Sequence, residues 1–421
     1  MAKQGAQNDV PSFSQDFVDR KIYSKSAAVM RSEGKDRGNV LYSRSQDSRS
    51  SNTFKLPPGG AAVTKEVAIS LRKLLFGGST YIGNQEWMKS ALEFREPGSA
   101  LGYGLVSLKN NPRAVIMCVQ AYILKHLLFN KKDFPQESSR DKDPLRPYKD
   151  RQQQALGLAL ADIIWKAGTE NSRCTICLPG DRAHLERELN YTPDGLTEKI
   201  NLFEFQRKED TVCFLVKHVH LFQQETGNGV IVLLYSMILS RGIDRVQEDL
   251  NGEYTELLTP VCEATQALIT FLLAGRATPY LHNGVMHTLD EDNVAGVKEQ
   301  VGLMSRGEIG ALIWNRNDES SKQLGSRLKT PSFPIWVTQA ENKYGVLFHT
   351  RRDLTRDHRA EHRFDLHYYN GCPANYEPTI LTLDTRFNKG QDEYRMPVLE
   401  RVLVSKWQGA QVSWNETTPY V

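Results

Sequence analysis

Long apolar runs are scarce in this sequence. The longest, such as Gly229 to Leu239, fall short of the roughly 20 residues that a membrane-spanning helix needs. The first residues, Met-Ala-Lys-Gln-Gly-Ala-Gln-Asn-Asp, contain no apolar segment of the kind that secretory signals carry. We therefore expect neither a membrane span nor a secretory signal.

The sequence also has little net charge and few cysteines. The formal net charge is only +3, which argues against nucleic acid or an acidic membrane surface as the partner. Six cysteines scattered over 421 residues do not form a disulfide framework and are typical of a reducing compartment. The composition predicts a globular protein of the cytoplasm or nucleus and leaves its oligomeric state open.

Residues 1–60 differ in composition from the rest of the chain. Ser, Arg, Asp, Gln and Lys dominate there, and too few apolar side chains are present to offset the entropy lost on ordering. We predict a disordered tail over residues 1–60 and a folded domain over residues 61–421. A docking or phosphorylation segment is the alternative to a simple solvated tail.

Helical patterns dominate the first half of the folded part, and strand patterns dominate its C-terminal third. The predicted helices cover Val67–Phe76, Ala114–Phe129, Gln152–Lys166 and Val230–Ser240. The predicted strands cover Thr211–Leu221, Pro334–Thr338, Tyr344–His349, Phe364–Tyr369 and Thr379–Leu383, with a turn at Glu341 and Asn342. Helices followed by a strand-rich second half indicate an α+β architecture.

Cys174 and Cys177 form a Cys-x-x-Cys pair. A zinc site needs a second pair of ligands at suitable spacing, and His184 alone does not complete one. We interpret both as ordinary cysteines and predict no metal and no other cofactor.

Several histidines are candidates for catalytic or binding residues. His218 and His220 alternate along a predicted strand and would share a face. A half-exposed polar face is favoured over a metal site or an acid–base pair, because no carboxylate partner is evident. A further group lies in or near the basic stretch Arg351–Arg363: His358, His362 and His367. A solvated hairpin loop is the favoured interpretation there, and binding to an acidic partner is the alternative.

Cys118 lies inside the predicted buried helix Ala114–Phe129. A buried cysteine behaves as a small hydrophobic residue. As a nucleophile it would need solvent access and a nearby base.

Four stretches of the chain together resemble the MINDY family of cysteine deubiquitinases. They are Leu71–Gly77, Tyr103–Phe129, Leu273–Gly284 and Leu328–Asp384. Their most distinctive segments read L-R-K-L-L-F-G-G, L-K-N-N-P-R-A-V-I-M-C-V-Q-A-Y, L-A-G-R-A-T-P-Y-L-H-N-G and P-I-W-V-T-Q-A-E-N-K-Y-G-V-L-F. The chain resembles most the branch that contains the family's fourth member, and within that branch the inactive B-type paralogue. The resemblance implies a papain-like scaffold, and for active members cleavage of lysine-forty-eight-linked polyubiquitin.

The same resemblance implies where catalytic residues would stand. In the family the nucleophile is the Cys of a Gly-Gly-Pro-Cys motif, which stands at the start of a buried helix. A Gln six residues before this Cys helps to hold the oxyanion. The base is the His of a Ser-His-Phe-Ser type strand. These three positions fall on Arg113, Ser107 and Lys343, so the resemblance implies that none of the three catalytic groups is retained.

Acyl transfer of this class needs a thiolate and an imidazole. Arginine is permanently protonated and is no nucleophile, and lysine is mostly protonated at neutral pH. We therefore expect an inactive member that retains binding to ubiquitin or polyubiquitin. In a sharper form of this hypothesis, Arg113 and Lys343 make a cationic pocket for an anion such as ubiquitin's C-terminal carboxylate. The alternative for these two residues is drift at a relaxed site.

Two other functions remain open. One is active or residual thiol-dependent cleavage of lysine-forty-eight-linked polyubiquitin, which would use Cys118 or a shifted site. The other is a scaffold without ubiquitin binding.

The residues before Arg113 predict how its helix begins. Asn110 and Asn111 replace glycines, and asparagine tolerates positive φ better than other residues with a side chain. Pro112 suits the first turn of a helix. A cation at a helix N-terminus opposes the macrodipole, so we expect Arg113 to have an acidic neighbour or to face solvent.

Overall fold

The computed structural model describes residues 57, 59–78, 85–130, 143–224, 228–289, 297–316, 324–386 and 396–419. All of them belong to one structural unit, Thr53–Val421. The tail predicted over residues 1–60 lies almost entirely outside the described residues, so its disorder stays a prediction, as does the boundary of the folded domain.

Helices dominate the first two thirds of this unit. They are α1 (Lys65–Phe76), α2 (Gln85–Met88), α3 (Arg113–Phe129), α4 (Lys149–Gly168), α5 (Lys208–His218), α6 (His220–Gln223), α7 (Gly229–Arg241), α8 (Ile243–Leu250), α9 (Gln266–Ala274), α10 (Ser326–Lys329) and α11 (Val398–Val404). The predicted helices 67–76, 114–129, 152–166 and 230–240 are confirmed as parts of α1, α3, α4 and α7. No helix among the described residues is long and apolar enough to span a membrane.

Helix α1 shows how local sequence sets both ends of an element. The Thr64 hydroxyl accepts a hydrogen bond from the backbone N–H of Val67 at 3.4 Å and caps the N-terminus. Gly77 ends the helix in the left-handed conformation, with φ of 78°.

Helices α3, α4 and α7 form the centre of the core. The side chains of α3 are buried from Ala114 to Leu128, and those of α7 are buried almost throughout. Helix α4 packs against α3, α5 and α7. Burial on all sides explains why the apolar residues of α3 and α7 follow no single stripe.

Within the described residues, the strands form three separate sheets. They are β1 (Ala61–Ala62), β2 (Cys174–Pro179), β3 (Ile200–Phe205), β4 (Val285–Leu289), β5 (Val297–Val301), β6 (Gly310–Trp314), β7 (Ile335–Ala340), β8 (Lys343–Phe348), β9 (Arg363–Tyr369), β10 (Thr379–Asp384) and β11 (Gln411–Ser413). Strands β1, β3 and β2 form one sheet and β4 and β5 another, while the large sheet has the order β11-β10-β9-β8-β7-β6. Only the β6–β7 pair of the large sheet is parallel.

The large sheet lies between α3 and α11. Val337 and Val346 belong to the core cluster that contains α3, whereas Trp336 and Leu347 belong to a second cluster that contains α11. Neighbouring strand residues thus face opposite sides, as the two-residue period of a strand requires. The four predicted C-terminal strands and the turn at Glu341 and Asn342 are confirmed, and so is the α+β class.

The strand predicted over Thr211–Leu221 is wrong. This segment contains most of α5, although its valines and phenylalanine favour strands. Thr211 and Leu215 are buried four residues apart, which is the spacing of a helix face. Acidic residues in the first turn and Lys217 and His218 in the last turn complement the helix dipole.

Candidate functional site

Arg113 is the first residue of α3, as the sequence predicts. Pro112 precedes it with φ of −73°, and the Arg113 N–H donates to the Asn110 carbonyl at 3.1 Å. Neither Asn110 nor Asn111 has positive φ. The expectation that these asparagines adopt a glycine-like conformation is therefore wrong; the turn before α3 is built with ordinary negative φ.

Ser107 is buried six residues before Arg113. Its N–H donates to the carbonyl of Gly371 at 2.9 Å, and its hydroxyl donates to the Lys109 carbonyl at 2.8 Å. Gly371 has φ of 70°, and a Cβ there would lie 2.9 Å from Met117. A glycine is thus required where the chain leaving β9 meets this segment.

A buried glutamine of α3 fixes the backbone just before Ser107. The Gln120 side-chain amide donates to the Tyr103 carbonyl at 3.0 Å, and its oxygen accepts the N–H of Leu105 at 2.6 Å. The Tyr369 hydroxyl donates to the Leu105 carbonyl at 2.7 Å. Helix α3 and strand β9 therefore hold the segment that carries Ser107 from two sides.

The start of β8 meets the start of α3 because β7 and β8 pack on that helix. Between them lies a cavity of about 340 Å³. Its lining residues are Asn110, Asn111, Arg113, Glu263, Ala264, Gln339, Asn342, Lys343 and Tyr344. The fold thus brings Arg113 and Lys343 to one cavity, although 230 residues separate them in sequence, and Ser107 supports it through its backbone.

Arg113 is half-buried and uses few of its donors. Its Nη2 donates to the Ser107 carbonyl at 3.3 Å, while the buried Nε has no hydrogen-bond partner in the part of the chain that the structure describes. Lys343 is exposed. The acidic residue of the cavity is Glu263, whose Oε1 accepts a hydrogen bond from the Asn342 amide at 3.3 Å. Glu263 lines the same cavity as Arg113, but the two side chains make no ion pair within 4 Å, so an acidic neighbour of Arg113 stays a prediction.

Sequence reasoning did not find Glu263, Gln339 or Asn342 as site residues. Glu263 lies in the loop before α9 and belongs to no motif. Only its packing beside the start of α3 brings it to the cavity. The turn predicted at Glu341 and Asn342 was the one signal that pointed to part of this group.

Cys118 lies one and a half turns into α3 and is fully buried. Burial raises the pKa of its thiol well above the ordinary value. Burial also raises the pKa of the neighbouring Tyr344, and the Cys118 thiol and the Glu263 carboxylate act in the same direction. The thiol therefore sits behind the cavity, within the core and protonated.

Cys174 and Cys177 are both buried in β2. The Cys174 thiol contacts the Thr211 hydroxyl at 3.1 Å, and burial raises the pKa of Cys177 to about 12. All six cysteines are free. Within the described ranges no group of three or more His, Cys, Asp or Glu side chains is arranged to hold a metal ion.

The histidines do not converge on a site. His218 ends α5 and His220 begins α6, so they do not share the face of a strand; their rings are 6.2 Å apart. Burial lowers the pKa of His218, and the charge of His220 acts in the same direction.

The basic stretch from Arg351 to Arg363 is not one hairpin loop. Short 3-10 turns cover Arg352–Thr355 and His358–Glu361, and β9 begins at Arg363. His358 and His362 are exposed, whereas His367 lies within β9 and stacks on the Phe348 ring at 4.9 Å. The prediction of a solvated loop therefore fails for His367, because it belongs to a central strand of the large sheet.

Comparison with known proteins identifies the family. The deubiquitinating enzyme MINDY-3/4 conserved domain matches residues 72–416. Probable ubiquitin carboxyl-terminal hydrolase MINDY-4 of Bos taurus is 35% identical over 372 residues, covering 88% of this chain and 47% of that protein. The Xenopus tropicalis protein of the same name is 33% identical over 363 residues, covering 86% and 47%. Ubiquitin carboxyl-terminal hydrolase MINDY-3 of Bos taurus is 26% identical over 315 residues, covering 67% and 65%.

The chain spans about half the length of the MINDY-4 proteins that it matches. No solved structure matches it. The family match runs from α1 to the last described residues after β11, through both the helical part and the large sheet. The chain therefore belongs to the MINDY-3/4 family of deubiquitinating enzymes.

Proposed function

We propose that this chain is a non-hydrolytic member of its family that binds ubiquitin or polyubiquitin. The observation that carries the proposal is the content of the cavity between α3 and β8. Arg113 and Lys343, to which the resemblance assigns the positions of the nucleophile and the base, both line it. The cavity that the resemblance assigns to catalysis thus holds two cations where a thiol and an imidazole would be needed.

Hydrolysis of an isopeptide by this class of enzyme requires a nucleophile that attacks the carbonyl carbon and a base that accepts its proton. A guanidinium does neither at neutral pH. Lysine at the base position has no nucleophile to activate. Since members of a catalytic unit act together, loss of one costs nearly as much as loss of all.

Cys118 offers the main route to residual activity, and its surroundings argue against it. Its side chain is buried on the core side of α3, and desolvation raises the pKa of the thiol. Attack on a substrate would require α3 to rotate or unwind at its first turns. Packing of α3 against β7, β8 and α4 opposes such a movement.

Two measurements on the purified chain test the proposal. A ubiquitin probe with a C-terminal electrophile should form no covalent adduct. Lysine-forty-eight-linked tetraubiquitin should bind saturably at micromolar concentration and remain uncleaved. The Cys118→Ala variant is the matched control, since any adduct that disappears in it would identify Cys118 as a nucleophile and overturn the claim of inactivity.

A scaffold that does not bind ubiquitin is the competing function. It is favoured if tetraubiquitin fails to bind up to high micromolar concentration while the chain is folded by circular dichroism. In that case the fold serves another partner.

A further inference from the structure

The cavity between α3 and β8 carries an excess of positive charge. Arg113 and Lys343 supply two cations, and Glu263 supplies one carboxylate. Asn342 already donates a hydrogen bond to Glu263, so this carboxylate is partly satisfied without either cation. Neither Arg113 nor Lys343 makes an ion pair with any residue that the structure describes.

The guanidinium of Arg113 has donors to spare. A guanidinium has five N–H donors. In the described residues this one makes a single hydrogen bond, from Nη2 to the Ser107 carbonyl at 3.3 Å. Its buried Nε has no partner among the described residues. A buried donor without a partner is costly, and an anion that pairs with the guanidinium would remove that cost.

Helix α3 adds to the positive potential at the same point. It is 17 residues long, and its N-terminus has neither an acidic residue in the first turn nor a side-chain cap. The positive end of its dipole therefore coincides with Arg113. Two cations and an uncompensated helix N-terminus favour a small planar anion with two oxygens, which a guanidinium binds through paired hydrogen bonds.

The MINDY-4 relatives are named probable ubiquitin carboxyl-terminal hydrolases, and this name suggests which anion would bind in the cavity. A ubiquitin carboxyl-terminal hydrolase acts at the bond to ubiquitin's last residue, and hydrolysis turns that neutral amide into a free carboxylate. A cysteine at position 113 would face the amide, whereas an arginine favours the carboxylate. The residue change thus shifts the preference of the site from the substrate of the reaction to its product.

We propose that the cavity binds the free C-terminal carboxylate of ubiquitin, so that this chain selects unanchored ubiquitin chains over chain ends that are attached to a protein. This inference rests on the proposed function, because it requires ubiquitin to bind with its C-terminus at the start of α3. Glu263 limits the affinity by repelling the incoming carboxylate.

The test compares two ligands with the wild-type chain, so that it does not depend on a variant's folding. Lysine-forty-eight-linked diubiquitin with a free C-terminal carboxylate is measured against the same molecule with that carboxylate converted to a primary amide. Loss of a charge-assisted pair of hydrogen bonds should weaken binding by about tenfold or more. The difference should shrink at high salt.

Variants then assign the effect to the cavity. Arg113→Gln and Lys343→Gln should each bring the affinities for the free and amidated forms close together. Glu263→Gln should strengthen binding of the free form. Lys109→Gln is the matched control, because Lys109 is exposed near Arg113 but does not line the cavity; it should leave the ratio of the two affinities unchanged.

The outcomes separate this inference from the function on which it rests. Equal, tight binding of both forms would overturn the carboxylate site and leave ubiquitin binding intact. Absence of binding by either form would overturn both. A preference for the free form that persists in Arg113→Gln and Lys343→Gln would place the carboxylate elsewhere and overturn the assignment to this cavity.

Discussion

Arg113 combines two unfavourable features at the scale of a single residue. Its charge lies at the positive end of α3, which costs some tenths of a kcal/mol, and its Nε is buried without a partner among the described residues. Both features lower the stability of the folded protein, so stability alone does not explain an arginine at this position. The arrangement is understandable if an anion occupies the cavity, since an anion would relieve both costs at once.

The first prediction concerns reconstitution of chemistry at this site. The triple variant Ser107→Gln, Arg113→Cys, Lys343→His introduces the glutamine, cysteine and histidine that the family resemblance implies for these three positions. We expect a covalent adduct with a ubiquitin probe carrying a C-terminal electrophile, because the new thiol would line the cavity at a helix N-terminus, which lowers the pKa of a thiol. Mass spectrometry should locate the adduct at position 113.

The control for this variant carries Arg113→Ala with the other two substitutions and should form no adduct. A folded triple variant that does not react would contradict the assignment of these three positions. It would mean that the cavity differs from an active site in more than three side chains.

At the scale of elements, the β7–β8 hairpin sets the place of Lys343. Its turn consists of Glu341 and Asn342, and Glu341 has φ of 55°. Left-handed backbone is unfavourable for a residue with a side chain. Antiparallel pairing from Ala340–Lys343 to Ile335–Phe348 holds the turn in this conformation.

Glu341→Gly should therefore raise the free energy of unfolding by about 1 kcal/mol, because glycine adopts positive φ without strain. Urea denaturation measures the change. Asn342→Gly is the matched control: Asn342 has no positive φ, so glycine there increases the entropy of the unfolded chain, removes the hydrogen bond to Glu263 and should destabilise. Destabilisation by Glu341→Gly would contradict the strained turn.

At the scale of the whole molecule, a buried charge cluster joins the helical part to the large sheet. The Asp162 carboxylate on α4 contacts Lys125, His126 at 2.8 Å and, from α5, Lys208 at 2.7 Å. Lys125 also reaches Glu308, which precedes β6, at 3.3 Å. The cluster thus links α3, α4, α5 and the segment that leads into the sheet.

The acidity of Asp162 reflects these partners. Burial by itself would raise the pKa of its carboxyl, but the hydrogen bond from His126 and the charges of Lys125, His126 and Lys208 hold the pKa well below its usual range. Because the folded pKa lies below the unfolded value, this group contributes stability above about pH 4, the unfolded carboxyl pKa. The contribution is lost as pH falls below that value.

Asp162→Asn should lower the free energy of unfolding by roughly 3–5 kcal/mol at neutral pH, because buried Lys125 loses its nearest counter-charge and keeps only Glu308 at 3.3 Å. Urea denaturation from pH 7 to pH 3 should show the variant losing less stability with acid than the wild type does. Asp150→Asn, at an exposed position in the first turn of α4, is the matched control and should change stability by less than about 1 kcal/mol. Equal losses in the two variants would contradict the role of the cluster.

Local sequence was enough to predict those elements whose pattern agrees with their surroundings. Helix α3 was predicted because an apolar run without Gly or Pro is a buried helix in almost any context, and β7 and β8 were predicted because turn residues separate two β-rich runs. Helix α5 was not predicted, since its valines and phenylalanine favour a strand in isolation. Packing of Thr211 and Leu215 on one helical face overrides that preference.

The candidate site divides in the same way. Sequence alone, through short motifs, determined the family, and the resemblance implied Ser107, Arg113 and Lys343 as the positions of the catalytic groups. The sequence also predicted that Cys118 is buried in the core, which the structure confirms. Only the tertiary structure decided that Arg113 and Lys343 line one cavity and that Glu263 joins them. The reason is physical: motifs record which residues stand next to each other in the chain, whereas a cavity and its charge are set by packing between segments that the chain order keeps far apart.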